Sequence, residues 1–136
     1  MTYEIVDLTN EQAAEIDERL EAFDAEFLGE EREGDIHVGI EMDGRLVAGA
    51  VACVTAFTIV YVSTVFVDSE TRGQGIGTRL MEEVERRAIA LGATLIRLDT
   101  FDWQGVGFYE TCGYEQVGCY QANGFAEHFY LKRLTA

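Results

Sequence analysis

Proline is absent from this 136-residue sequence, lysine and tryptophan occur once each, histidine twice and cysteine three times. Each scarcity removes a class of protein from consideration. Cys53, Cys112 and Cys119 are odd in number and show no C-x-x-C spacing, which argues against a disulfide framework and for a reducing compartment. With only His37 and His128 as imidazoles, no metal site is expected. Positive charge is equally short, at 10 Lys+Arg against 25 Asp+Glu, for a net charge of −15. Such a surface repels phosphate backbones and anionic lipid, so neither nucleic acid nor membrane is an expected partner. The opening MTYEIVDLTN has no basic or apolar leader pattern, and no stretch approaches the roughly 18 apolar residues of a membrane span. A cytoplasmic protein is the expectation.

What is present is a core. Apolar residues make up 48% of the chain, and at this length roughly two thirds of the unfolded surface is buried on folding. No repeat, low-complexity tract or long linker divides it, so residues 1–136 are expected to form one domain. Nine of the ten basic residues are arginine, while 17 of the acids are glutamate and eight aspartate. The pattern points to salt adaptation, because repulsion among so many carboxylates is relieved when molar salt shortens the Debye length to about 3 Å. The alternative is an ordinary acidic protein with a solvated surface.

The periodicities predict a strand over Tyr3 to Leu8, then a capping box at Thr9-Asn-Glu-Gln12 that starts a helix. Ala13, Ile16, Leu20, Phe23 and Phe27 give that helix an apolar face, and it ends near Gly29. A charged loop, Glu30 to Asp35, leads into strands Ile36 to Met42 and Leu46 to Phe57 across the hairpin signal Asp43-Gly44. Ile59 to Val67 is almost continuously apolar, as expected of a central strand covered on both faces. A helix from about Gly75 to Leu91 follows, with Glu82/Arg86 and Glu83/Arg87 spaced to pair, and then a strand Thr94 to Thr100. This βαβ unit makes its strands parallel. A short helix, Gly105 to Cys112, and strands from Tyr114 to about Tyr120 and from Glu127 to Leu134 complete the chain. The expected fold class is α+β: a mixed, mostly antiparallel sheet with one parallel crossover, flanked by helices.

One motif is sharp. Val67-Asp-Ser-Glu-Thr-Arg72-Gly73-Gln74-Gly75-Ile76-Gly77-Thr78 leaves the buried strand and enters an amphipathic helix. Glycines let the backbone approach a bulky anion, the free N–H groups of the helix start solvate it, and Arg72 adds a charged donor. A P-loop needs Gly-Lys-Ser/Thr, and a dinucleotide loop needs glycine where Thr78 stands, so both are disfavoured. A tight turn that merely starts a helix is the plainer reading.

The run Val67 to Leu80, centred on Arg72-Gly73-Gln74-Gly75-Ile76-Gly77, resembles the pyrophosphate loop of the GNAT acetyltransferase superfamily (Q/R-x-x-G-x-G/A). A second run, Asp102-Trp-Gln-Gly105-Val-Gly-Phe108-Tyr109-Glu110-Thr-Cys-Gly113-Tyr114, resembles that family's N-x-x-A-x-x-F-Y-x-x-x-G-F/Y, with Asp102 replacing asparagine and Gly105 replacing alanine or serine. An aspartate at that place could repel cofactor phosphates. The likeness covers the order of elements from Leu46 onward. It implies acetyl-CoA as cosubstrate, without a metal. Its pantetheine arm would lie along Val65, Phe66 and Val67, its pyrophosphate on Arg72 to Thr78, and Asp102 and Gly105 would stand at cofactor-contacting positions.

Tyr109 matches the residue that, in many members, protonates the departing thiolate. A phenol of pKa about 10 beside a thiolate of pKa about 8.5 suits that step. The plainer reading is a packed aromatic. Glu41, His37 and Asp102 are candidates for the base that takes a proton from the incoming amine, and a water chain is the alternative. Cys112 has no histidine placed by sequence to activate it, which favours direct transfer in a ternary complex over an acyl-enzyme. Trp103, Tyr120 and Phe125 are candidates for an acceptor-pocket wall. The resemblance implies an N-acetyltransferase acting on a small-molecule or protein amine; the rivals are a non-catalytic CoA-binding module and a nucleotide-binding regulatory domain. Pairing of two copies through the C-terminal strands is common among such relatives.

Overall fold

The computed structural model describes residues 1–28 and 33–134. The chain forms two units, Met1–Glu31 and Arg32–Ala136. In the first, the capping box closes as its residue types dictate. The Thr9 N–H donates to Gln12 Oε1 (3.0 Å) and the Gln12 N–H to Thr9 Oγ1 (3.1 Å), starting helix α1 (Asn10–Leu28). Glu15 and Arg19 pair one turn apart at 3.2 Å, and the Phe23 and Phe27 rings sit 5.4 Å apart. The strand expected over Tyr3 to Leu8 is not formed. A strand exists only through backbone pairing, and this segment has no ladder partner among the described residues. Gly29, where the first helix is expected to end, and residues 30–32 of the expected charged loop lie outside the described residues.

The second unit is one six-stranded sheet in the order β1-β2-β3-β4-β6-β5. Its strands are β1 (Asp35–Met42), β2 (Arg45–Thr55), β3 (Ile59–Val67), β4 (Leu95–Phe101), β5 (Glu115–Ala122) and β6 (Phe125–Arg133). Helices α2 (Ile76–Ala90) and α3 (Val106–Thr111) complete it. Strands β3 and β4, joined through α2, are the parallel pair, and every other pairing is antiparallel. The expected fold class is observed, with boundaries shifted by a few residues. β2 ends at Thr55 instead of Phe57, because Ala56–Thr58 turns into a short 3₁₀ segment.

Leu80, Met81, Val84 and Ala88 of α2 are fully buried against Val60, Ile96 and Tyr130 of the sheet. Burying such side chains contributes about 1.5–3 kcal/mol each for the larger ones, which holds α2 on one face. On its other side the expected pairing of Glu82 with Arg86 is replaced. Glu83 accepts from both Arg86 (2.5 Å) and Arg87 (2.8 Å), being three and four residues away. The sole lysine, Lys132 of β6, donates to Glu85 Oε1 (2.7 Å) and to the Cys112 carbonyl (2.8 Å), tying α2 and the end of α3 to the sheet.

β3 is central in the sheet as expected, but its second face is less covered than its core face, with Ser63, Thr64 and Phe66 exposed. Val62 pairs with Ala52 and Thr64 with Val51, so Ser63 is an extra residue, a β-bulge. Before it, Val60 and Val62 face the core; after it, Val65 and Val67 do. The bulge shifts the alternation by one, while Ile59, Tyr61 and Phe66 are the apolar residues of the other face.

Candidate active site

The bulge also opens the sheet. The β3–β4 ladder runs from Ile59↔Leu95 to Val62↔Leu98 and stops there. Beyond it, residues 64–67 keep their pairing with β2 but present a free backbone edge towards β4. Between the diverging strands lies a cleft of about 860 Å³. The glycine loop stands at one end of it and α3 forms a wall.

Gly73 and Gly75 both have positive φ (81° and 76°), a conformation that L side chains resist. A Cβ on either would meet nothing within 4 Å, so the space above the loop is open. Gly75 is the N-cap of α2, and no side chain caps the helix start. The first intrahelical bond from the cap runs from the Arg79 N–H to the Gly75 carbonyl, so α2 begins with donors directed at solvent. Arg72 is exposed and anchored by its Nε, which donates to the Val67 carbonyl at 3.1 Å. Gly77 is needed for space instead, since a Cβ there would lie 3.1 Å from the Phe108 ring.

Tyr109 lines the cleft from α3 and is 7% exposed. Burial is the main cause that raises its phenol to about pKa 12, helped by the negative fields of Cys112 and Asp99. The phenol is therefore held as a hydrogen-bond donor. Gly105 lies directly over the ring, where a Cβ would stand 2.8 Å from Tyr109 Cε2. The absence of alanine or serine at that place follows from this contact.

Most sequence-selected residues border the cleft: Val65, Phe66, Val67, Arg72, Gly73, Gly75, Ile76, Gly77, Thr78, Gly105 and Tyr109. Gln74 and Asp102 do not. Asp102 Oδ2 accepts from the Ala126 N–H (2.7 Å), and Oδ1 is 2.7 Å from His128 Nε2. The His128 hydrogen bond is the largest cause that lowers the Asp102 pKa, with the Ala126 N–H second. The carboxylate pins the β4–α3 loop to β6 instead of facing the cleft. Of the other proton-acceptor candidates, His37 and Glu41 are on β1, outside the cleft lining. Cys112 is outside it too, and burial raises its thiol. A less acidic thiol is a poorer nucleophile, against an acyl-enzyme.

Trp103 borders the cleft, stacked on Phe101 (4.9 Å between centroids) and edge-on to Phe125 (5.0 Å). Tyr120 instead donates to Glu127. The sequence reading missed Asp99, a carboxylate on the cleft wall. Its signal was an aspartate inside a central strand, where that residue is depleted.

A model of the acetyltransferase (GNAT) family matches residues 2–114. The chain belongs to this family. Membership makes it an acetyl-CoA-dependent N-acetyltransferase. An acetyltransferase of Agrobacterium fabrum is 29% identical over 87% of each chain. The blasticidin-S acetyltransferase of Streptomyces morookaense is 32% identical over 67% of this chain and 68% of its own. A crystal structure of an acetyltransferase from Bacillus cereus superposes with a TM-score of 0.87 at 25% identity, covering 97% of this chain and 98% of that one. The mostly antiparallel sheet with one parallel pair matches the GNAT acetyltransferase fold. No helix among the described residues is long and apolar enough to cross a membrane.

Proposed function

We propose that the enzyme transfers the acetyl group of acetyl-CoA to a primary amine by direct attack in a ternary complex, in the cleft between β3 and β4. The observation that carries this reading is the free edge of β3 ending in an uncapped, glycine-lined helix start with Tyr109 opposite. The residues present fit the cosubstrate. Val65, Phe66 and Val67 bind the pantetheine amides as a neighbouring strand would, and a β3 N–H polarises the thioester carbonyl. Arg72 to Thr78 hold the pyrophosphate with backbone donors, the α2 dipole and one guanidinium. Tyr109 donates to the sulfur as the C–S bond breaks. Transfer of its proton becomes favourable because the leaving thiolate is desolvated beside it.

The acceptor is an amine of a small molecule or a protein. The blasticidin-S relative supports the small-molecule class. Residues 1–136 act as one catalytic domain in a salt-rich cytoplasm, free or as a homodimer, without metal, nucleic acid or membrane. Among the described residues no group of three or more His, Cys, Asp or Glu is arranged to hold a metal ion.

The test is calorimetric binding of acetyl-CoA, NAD and ATP in molar KCl, with Gly75→Glu as the blocked control. Selective binding of acetyl-CoA, lost in the control, is expected. A folded protein that ignores acetyl-CoA, or prefers a nucleotide, would refute the reading. A protein that binds acetyl-CoA and acetylates no amine would instead be a CoA-binding module.

A further inference from the structure

Asp99 is the first residue of β4 past the last ladder pair, Val62↔Leu98, so it stands at the apex where the two parallel strands part. It borders the same cleft as Tyr109, Thr64 and Trp103. Its carboxylate is held in a defined orientation. Tyr61, on the neighbouring strand, donates its hydroxyl to Asp99 Oδ2 at 3.0 Å, and the Arg97 guanidinium lies 4.4 Å from the centre of the Tyr61 ring. Yet no arginine, lysine or histidine pairs with Asp99 among the described residues. A half-buried carboxylate with one oxygen bonded to a neutral phenol is short of a cationic partner.

Resting on the acetyltransferase reading of this site, we infer that Asp99 is the catalytic carboxylate that binds the acceptor as an ammonium ion and removes its proton, and that the acceptor is a cationic amine. Tyr61 is the positioning residue: by engaging Oδ2 it leaves Oδ1 for the substrate. The stacked Trp103 ring offers a second cation-binding surface at the cleft wall. Arg72 at one end and Asp99 at the other give the cleft the polarity its two substrates require, one anionic and one cationic.

The step balances. The Asp99 carboxylate takes one proton from R–NH₃⁺, and the freed nitrogen lone pair attacks the thioester carbonyl, forming the C–N bond. When the C–S bond breaks, the sulfur keeps the electron pair and takes the Tyr109 proton. The phenolate regains a proton from the acylated nitrogen, and Asp99 releases its own to water. The products are the amide, CoA thiol and one proton.

The test measures acetyl transfer by the full chain in molar KCl to spermidine, a cationic amine, and to ε-aminocaproate, an amine with a carboxylate tail. Calorimetric affinity for acetyl-CoA is measured in parallel. Spermidine should be the better acceptor. Asp99→Asn should lower its kcat/KM by about a hundredfold or more and collapse the preference over ε-aminocaproate, while acetyl-CoA affinity holds. Asp99→Glu should recover part of the rate, and Tyr61→Phe should lower kcat more than it raises KM. Asp99→Asn with wild-type rate and preference overturns the inference. So does a wild-type protein that binds acetyl-CoA but shows no preference for, or no use of, the cationic acceptor. Failure to bind acetyl-CoA is the separate result that takes down the site reading, and this inference with it.

Discussion

Tyr109 packs against Gly105 so tightly that a single added carbon on the glycine would stand 2.8 Å from the ring. The ring has little room to retreat, being packed against Tyr114 and Tyr130 at 5.8 and 6.3 Å between centroids. Gly105→Ala is therefore expected to displace Tyr109 and to cost about 1–3 kcal/mol of stability. Steady-state kinetics should show a lowered kcat with acetyl-CoA affinity nearly intact. An unchanged kcat would mean that the position of the ring is immaterial.

Removing the hydroxyl itself leaves the packing in place. Tyr109→Phe should fold normally, bind acetyl-CoA as before and lose about tenfold to a thousandfold in kcat. Retention of full activity would leave Tyr109 a core residue only.

The same phenol links stability to alkaline pH. Its folded pKa is raised to about 12 against about 10 in an unfolded chain, so the folded state holds the proton more tightly. Its contribution is complete below about pH 10 and is lost as pH rises through about 12. Tyr114, raised mainly by burial and then by the field of Glu85, acts in the same direction. Denaturation midpoints should fall across that window, together with a late rise in phenolate absorbance. Tyr109→Phe should flatten part of the fall.

At the glycine loop, Gly75→Ala meets no steric obstacle but places an L side chain at φ 76°. The strain costs about 1–2 kcal/mol. Gly75→Glu adds a negative charge where α2 begins. Calorimetry should find acetyl-CoA affinity reduced in the first variant and abolished in the second. Equal affinity in both would move the anion elsewhere.

A net charge of −15 makes the salt response a direct test of adaptation. Raising KCl from about 0.1 M to about 1 M shortens the Debye length from about 10 Å to about 3 Å and screens carboxylate repulsion. The thermal midpoint should rise steeply over that range. A flat response would make the protein an ordinary acidic one.

Sequence by itself determined which segments are helices and strands over most of residues 33–134, and that a glycine loop joins β3 to α2. Both follow from local rules: amphipathic period, turn residues, and glycines at positions of positive φ such as Gly75. It also located Tyr109, whose motif is contiguous. Tertiary structure decided the rest. Ser63 becomes a bulge only because β2 sets the register of β3, and that extra residue both reverses the alternation and parts β3 from β4. Asp102 turns to His128 and Ala126, partners 26 and 24 residues away that no local pattern reveals. Asp99 reaches the cleft because the parallel ladder stops at Leu98, one residue before it. A local code writes elements and loops, whereas the direction of a carboxylate is set by whichever distant strand the sheet places beside it.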